Sequence, residues 1–410
     1  MTTLDDNAVP LEVELFGDPP ALLAKLGETG PIHSVTLPDG MPAWLITGYR
    51  EARKALADAR LRRNGTVAAA EFTPYLQGIY SDSFFPHSMV FNDQPDHTRM
   101  KKVVSQAFTP RQMERLRPRV QRIADRLIDA VAPHGKADVL HDLALQLPNA
   151  VICEWFDIPE SDRAEFVRHC EVVTGLTVST GDDQLASAGR WFNEYLAGVI
   201  SDRQAHPGED MISAMIESQA TEKTLSDIEM RSNIFLMLIG SVETAVNMVS
   251  NGTLALLRNP DALALLTDNP QFLGSAVEEI LRTDAPVMTV MYHFAAERLT
   301  IGDVEIQPGE HVAVSLMAAN YDSSVFSDPT HFDIRRASAP HLSFSHGVHF
   351  CLGAPLARLE GEVLFGSMLS RMKNLQLAIP EAELSWRPSF LVRRLIQLPV
   401  TFTPTGKVVL

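Results

Sequence analysis

Cysteine is scarce in this chain: three residues in 410, Cys153, Cys170 and Cys351. So small and odd a set excludes a disulfide scaffold and points to a reducing compartment. Neither CxxC nor HxxxH occurs, so the paired spacings usual in a structural zinc site are missing. No Gly/Ser linker, low-complexity tract or internal repeat interrupts the chain. Length alone would allow about two or three domains. With no boundary visible, one domain over residues 1–410 is expected. Basic residues are outnumbered, 35 Lys and Arg against 51 Asp and Glu, and the net charge of −16 argues against a nucleic-acid partner. The opening Met-Thr-Thr-Leu-Asp-Asp-Asn has neither the basic nor the apolar region of a signal peptide. No run of about 18 apolar residues suggests a membrane span. A cytoplasmic protein without a membrane anchor is expected.

What is present is enough apolar sequence, 45%, for a large core. Residues 31–37 and 43–47 alternate around Pro38-Asp-Gly40, the pattern of a hairpin. Tyr49–Ala59 has helical periodicity. Residues 62–92 have no clean period and predict a long loop with a short helix, a feature usually tied to function. From there helical patterns dominate: 97–107, 110–132, 139–156, 160–176, 184–204, 209–219, 225–257, 260–268, 270–283 and 354–372. Strands are predicted at 289–294, 298–306, 311–315, 374–379 and 390–403.

The most informative stretch is Phe344-Ser-His-Gly347-Val-His349-Phe-Cys351-Leu-Gly353-Ala-Pro355-Leu-Ala-Arg358. It sets one cysteine at the end of a glycine-punctuated loop and at the start of an apolar helix. Helix N-terminal N–H groups favour negative charge, so a thiolate there makes a good soft metal ligand. Taken alone, a lone cysteine can be a small buried hydrophobe. A zinc site of His346, His349 and Cys351 is a further alternative, though its spacing is unusual. The order Phe-x-x-Gly-x-x-x-Cys-x-Gly resembles the haem-ligand loop of the cytochromes P450, in their bacterial soluble branch. The resemblance implies a mainly α fold with a large helical body and a smaller β-rich part built from both ends of the chain. It also implies haem b (iron protoporphyrin IX) with Cys351 as the axial thiolate, and Phe344 and Gly353 as neighbours of the cofactor.

Two further segments resemble the same family. Gly240-Ser241-Val-Glu243-Thr244 lies in a long apolar helix pattern, where an acid and a hydroxyl cost free energy unless paired or functional. By resemblance Thr244 holds bound dioxygen and Glu243 helps to relay protons; Ser241 stands where the family usually has glycine. Glu279-Ile-Leu-Arg282 is a weak i, i+3 pair on its own. Within the resemblance it joins Arg336, of Phe332-Asp-Ile-Arg-Arg336, in a structural triad of Glu279, Arg282 and Arg336.

The resemblance also supplies partners for the haem propionates. Asp93-Gln-Pro-Asp-His97-Thr-Arg-Met-Lys101 implies His97 and Lys101, the latter in place of the commoner arginine and acting only as a point charge. His349 matches a third contact. His293 stands where the family usually has arginine and is expected to bind a propionate. Each lone histidine is otherwise an ordinary core or surface residue.

Between Arg99 and Arg122 lie Arg99, Lys101, Lys102, Arg111, Arg115, Arg117, Arg119 and Arg122, with Glu114 the only acid. This is either a solvated basic face or a docking patch steering an acidic partner. By resemblance it is the docking side of a ferredoxin, which with a ferredoxin reductase would bring electrons from NAD(P)H; a monomer is expected. The substrate pocket is expected to draw on Phe72, Tyr75, Tyr80, Phe84, Phe85, Val90, Met237, Gly240, Ser241, Val287, Met288, Thr289, Leu391 and Val392. These suit a neutral hydrophobic or aromatic molecule. The resemblance implies a monooxygenase acting with O2 in natural-product tailoring. Oxidative C–C or C–N coupling, dimerising or cyclising an aromatic product, is the alternative within the enzyme class. A non-catalytic haem-binding sensor is the alternative outside it.

Overall fold

The computed structural model describes residues 8–11, 26, 29–80, 85–173, 182–222, 225–337 and 340–406, with the backbone alone described at 77–80, 85, 182–183 and 220–222. Its centre is the helix Asp227–Arg258. Ser226 begins it with a capping box: its hydroxyl accepts from the Glu229 N–H while the Glu229 carboxylate accepts from the Ser226 N–H. Ile234, Leu238, Val242, Val246 and Val249 are all fully buried, as expected of a helix that is apolar around most of its circumference. By length and composition this helix could cross a membrane, yet two-thirds of its most apolar window (67%) is buried inside the protein. Its apolarity is that of a core helix. Gly252 makes the packing possible: a Cβ there would lie 2.7 Å from Ile280 Cγ2 and 2.7 Å from Phe365 Cζ. Helices Leu273–Thr283 and Ala354–Arg371 close on it at that point.

Gln146–Trp155 packs on this centre, and Pro110–Val131, capped by Thr109, packs on Gln146–Trp155 and on Ala354–Arg371. Asp96–Val104, Glu160–Val173, Asp182–Ala205 and Met211–Glu222 complete the helical body. The expected helix over 139–156 is two elements, a π-helical turn Val139–Ala144 and then Gln146–Trp155. Residues 298–306, read as one strand, form a hairpin of Leu299–Ile301 and Val304–Ile306 around Gly302, whose φ is +54°. A short helix, Leu316–Asn320, has no counterpart in the sequence pattern. It is too brief to show a period.

The main sheet contains β1 (Val9–Pro10), β2 (Ile32–Thr36), β3 (Pro42–Ile46) and β4 (Leu61–Arg62). With β5 the strand Lys136–Asp138, its remaining strands are β6 (Thr289–Ala295) and, beyond the hairpin strands β7 (Leu299–Ile301) and β8 (Val304–Ile306), β9 (His311–Ser315). The order is β1-β2-β3-β9-β6-β4. The predicted hairpin is the antiparallel pair β2–β3, with Ile32 opposite Ile46. The tail strand β10 (Met372–Leu377) and the final strand Pro399–Pro404 do not join this sheet; they pair with each other, and the final strand also pairs with β5 inside the helical body. Antiparallel β4 and β6 align Leu61 with Ala295 and Arg62 with Phe294. In β6 the register shifts between Val290 and His293, and Tyr292 takes φ +62°. Such a bulge re-aims the side chains that follow it.

Candidate active site

The cysteine loop is built by backbone constraints that the sequence alone cannot display. The Cys351 N–H donates to the Phe344 carbonyl at 2.9 Å, and Phe350 to Gly347 at 3.1 Å. Gly347 is required twice over. Its φ is +73°, and a Cβ there would lie 2.6 Å from the Leu56 carbonyl oxygen. Gly353 is different: a Cβ would meet the Cys351 sulfur at an ordinary 3.7 Å. What Gly353 supplies is its N–H, which with that of Ala354 points at the sulfur. Cys351 is open to the cavity but closely surrounded by protein atoms elsewhere. Burial pushes its thiol pKa up, and the two N–H groups, Lys101 and Arg358 pull it back. Arg358 lies over the Phe344 ring at 4.7 Å and makes a two-point pair with Glu278, at 2.6 and 2.9 Å. Burial alone would raise the Glu278 pKa, but Arg358 and His341 together hold it at about 2.

Cys351 shares a cavity of about 360 Å³ with the middle of helix Asp227–Arg258. Gly240, Ser241 and Thr244 line it, as do Val90, Met237 and Val287. The Thr244 hydroxyl donates to the Gly240 carbonyl at 2.7 Å. Ser241 donates to Met237 at 2.6 Å, with Leu238 at 3.1 Å. Glu243 does not line the cavity. Its carboxylate turns to Arg394 at 3.8 Å, and burial raises its pKa against the opposing effect of Arg394 and Arg387.

One end of the cavity is basic. Arg63, His97, Lys101 and His349 line it together. The His97 and His349 rings are 4.2 Å apart. Burial, then Lys101 and Arg63, lower the His97 pKa to about 4; burial, Arg63 and the neighbouring histidines push His349 well below the usual range. Lys101 does not extend freely into this end. Its Nζ donates to the Val348 carbonyl and to that of Phe350 at 3.2 Å, tying helix Asp96–Val104 to the cysteine loop. His293 is fully buried behind the wall rather than in it, lowered by burial and by Arg63.

The expected substrate wall needs correction at several positions. Thr289 is buried opposite Ser315 and misses the cavity, while Val290, the next residue of β6, lines it; strand alternation separates the two. Met288 turns into a small cluster with Ala285 and Met317. Leu391 is 44% exposed, its carbonyl accepting from the Met288 N–H. Phe72 is buried against Phe294, Tyr75 donates to the Gly40 carbonyl, and Val392 pairs with Val287 without lining the cavity. The side chains of Tyr80, Phe84 and Phe85 lie outside the described residues. Sequence reasoning missed Arg63, Met89, Phe108, Leu236 and Met248, all on the cavity wall. For Arg63 a signal existed: adjacent arginines, Arg62 and Arg63, at the mouth of a loop otherwise poor in charge.

Glu279, Arg282 and Arg336 come together as a buried network. Glu279 accepts from Arg282 at 2.8 Å on each oxygen and from Arg336 Nε at 3.1 and 3.2 Å. Arg282 also donates to the Asn320 and Pro329 carbonyls, and Arg336 to those of Ser327, Asp328 and His331.

A lone thiol beside helix amides, an apolar chamber and a buried basic end fit an anionic, iron-bearing macrocycle. The buried Nδ1 atom of His97, on the cavity wall, has no partner among the described residues, as a site shaped for a further acceptor would leave it. Among the described residues no cluster of His, Cys, Asp or Glu is arranged to hold a bare metal ion, which removes the zinc alternative.

The family model for Cytochrome P450 matches residues 182–381. Cytochrome P450 107B1 of Saccharopolyspora erythraea is 38% identical over 379 residues, 90% of this chain and 92% of that protein. The chain belongs to the cytochrome P450 family. Cytochrome P450 monooxygenase PikC of Streptomyces venezuelae is 39% identical over 94% of this chain and 92% of its own. The solved structure of the polyketide synthase cytochrome P450 PksS of Bacillus subtilis superposes with a TM-score of 0.88 at 34% identity, covering 98% of this P450 and all of that chain (100%). The fold is the P450 fold, helical body and smaller sheets included, and the chain is an enzyme of the cytochrome P450 monooxygenase class. Its cofactor is thiolate-ligated haem iron by family membership.

Proposed function

We propose that this P450 is a single-domain cytoplasmic monooxygenase. It inserts one oxygen atom from O2 into a neutral, lipophilic natural product of polyketide-like or aromatic character. The observation that carries the reading is the shared cavity: Cys351 and Thr244 open onto one chamber whose substrate-side walls are apolar. Cys351 would ligate haem b, and His97, His349 and the basic end would receive its carboxylates. When bound, the haem supplies a redox-active iron that activates dioxygen.

The chain's own residues bind, orient and supply protons. Val90, Met237, Val287 and Val290 offer no hydrogen bond, so a substrate is held by burial and shape. Thr244 spends its proton on the Gly240 carbonyl, leaving its oxygen to accept from a water in the cavity. Such a water would pass a proton to the reacting end. Glu243, kept from easy ionisation by burial, stands one position away as a reserve acid; it must swing from Arg394 or act through water.

Two relatives carry names that support the substrate class: the polyketide biosynthesis cytochrome P450 PksS, 36% identical, and a 6-deoxyerythronolide B hydroxylase, 39% identical. One observation favours the second reading, oxidative bond formation. CxnD, a P450 solved for C–S bond formation in chuangxinmycin biosynthesis, superposes with a TM-score of 0.88 at 33% identity over 97% of this chain and 99% of that one. Incubation with candidate macrolides and aromatic scaffolds under turnover conditions separates the two. A product heavier by one oxygen supports monooxygenation; loss of two hydrogens or a dimer replaces it with coupling.

Electrons would come from NAD(P)H through a ferredoxin reductase and a ferredoxin docking on helix Pro110–Val131. Arg111, Arg115, Arg119 and Arg122 are exposed on it and make no ion pair among the described residues. Others of the basic block are committed elsewhere: Arg99 to Glu229 at 2.6 Å and Arg117 to Glu362 at 2.8 Å. The patch is therefore narrower than the sequence block.

A further inference from the structure

His293 occupies the β6 position where the family pattern carries an arginine, yet it is buried behind the cavity wall. The next strand supplies what it lacks. The pairing of Leu61 with Ala295 and Arg62 with Phe294, continued by one residue, sets Arg63 opposite His293. Arg63 is 8% exposed and lines the basic end of the cavity. It shares that end with His97 and His349. The backbone holds it there: the Asp93 carboxylate accepts the N–H of Arg63 at 3.0 Å and of Asn64 at 3.1 Å. Asp93 shortly precedes the helix that bears His97, so one carboxylate sets Arg63 and His97 together.

We infer that Arg63 is the cationic anchor of a haem carboxylate in this P450, filling from the residue that follows β4 the place that an arginine of β6 holds in the family pattern. The charge has moved by one strand while its target has stayed. A buried guanidinium is suited to the task, because it binds a carboxylate through two parallel hydrogen bonds and stays charged when desolvated. A neutral His293 can add a hydrogen bond but not that charge. Arg63 Nη1 also reaches the Val90 carbonyl at 3.5 Å, so the same side chain touches the substrate wall.

The inference rests on the family's haem and not on the substrate assignment. The test is haem transfer from the ferric holoenzyme to excess apomyoglobin, with the carbon monoxide difference spectrum recorded in parallel. Arg63→Gln is expected to lose haem roughly tenfold faster than wild type or more, with Arg63→Lys between them, and His293→Gln to stay within about threefold. The thiolate-type carbon monoxide band persists in all of them; its disappearance from wild type would instead indict Cys351. The exchanged pair Arg63→Ser with His293→Arg is expected to restore slow loss, and it decides the matter if Arg63→Gln does not accumulate folded. Arg63→Gln releasing haem at the wild-type rate, or His293→Gln releasing it as fast as Arg63→Gln, overturns the inference. So does an exchanged pair that fails to hold haem.

Discussion

At the scale of single residues, Thr244 and Ser241 look alike but are not interchangeable. Both hydroxyls donate back to their own helix, a common habit of Ser and Thr in helices. Ser241 divides its donor between Met237 and Leu238, one turn farther from Thr244's position. Ser241→Gly should therefore leave the ratio of product to hydrogen peroxide unchanged, while Thr244→Ala lowers that ratio several-fold at similar NAD(P)H consumption. An assay of peroxide and product per NAD(P)H reads both. Equal ratios in wild type and Thr244→Ala would remove Thr244 from oxygen activation. Glu360 makes a second residue-scale case. It is fully buried on the cavity wall, one carboxylate oxygen has no partner among the described residues, and burial pushes its pKa from 4.5 up to about 8. An acid whose folded pKa is raised holds its proton in the native state while the unfolded chain has released it. Stability from this group is thus full below about pH 4.5 and is lost as pH rises through about 8, on the order of 5 kcal/mol across that window. Glu360→Gln should flatten the decline in melting temperature between about pH 5 and 8, the range over which that loss falls; an unchanged slope would show that Glu360 does not titrate there.

At the scale of elements, Glu279 does more than pair with a neighbour one turn away. It joins helix Leu273–Thr283 to the segment around Asp333 and Arg336, accepting also from the Asp333 N–H at 2.9 Å. Glu279→Ala strands the buried Arg282 guanidinium and the half-buried one of Arg336 and should cost about 3–5 kcal/mol, seen as little folded, haem-loaded protein. Recovery of normal yield and melting temperature would contradict a supporting role. On helix Pro110–Val131, reversing Arg111 and Arg115 to Glu should slow reduction by ferredoxin at low salt and flatten its salt dependence, with substrate affinity unchanged. Identical stopped-flow rates would move the docking site elsewhere. Most of these elements were legible beforehand because their signals are local. Period 3.6 marks 110–131 and 260–268, and Pro38-Asp-Gly40 marks the β2–β3 turn. The two-residue strand β4, the π-helical turn at Val139 and the helix Leu316–Asn320 were not legible. They are too short for a period, and their shape is decided by what packs on them.

At the scale of the whole molecule, the cysteine loop, the helix of Thr244 and the Glu279–Arg282 pair were readable from motifs a few residues long. What motifs could not carry was direction. Glu243 turns to Arg394, Leu391 faces out, and Lys101 caps the loop carbonyls; each depends on strands or helices distant in sequence. Arg63 shows the same gap most clearly, because its meaning lies in a register between residues more than half the chain apart. That register bears on recombination. Exchange of the stretch 65–92, which brings Met89 and Val90 to the cavity wall, with that of a relative is a route to new substrates, and the donor's cut point decides the outcome. A crossover after Asn64 keeps Arg63 and the Asp93 contacts that fix its backbone, and with them the recipient's proposed cofactor anchor. A crossover before Leu61 imports the donor's residue at that position. If the donor carries its arginine on β6 instead, the chimaera inherits neither copy, and its failure would be misread as a poor substrate fit.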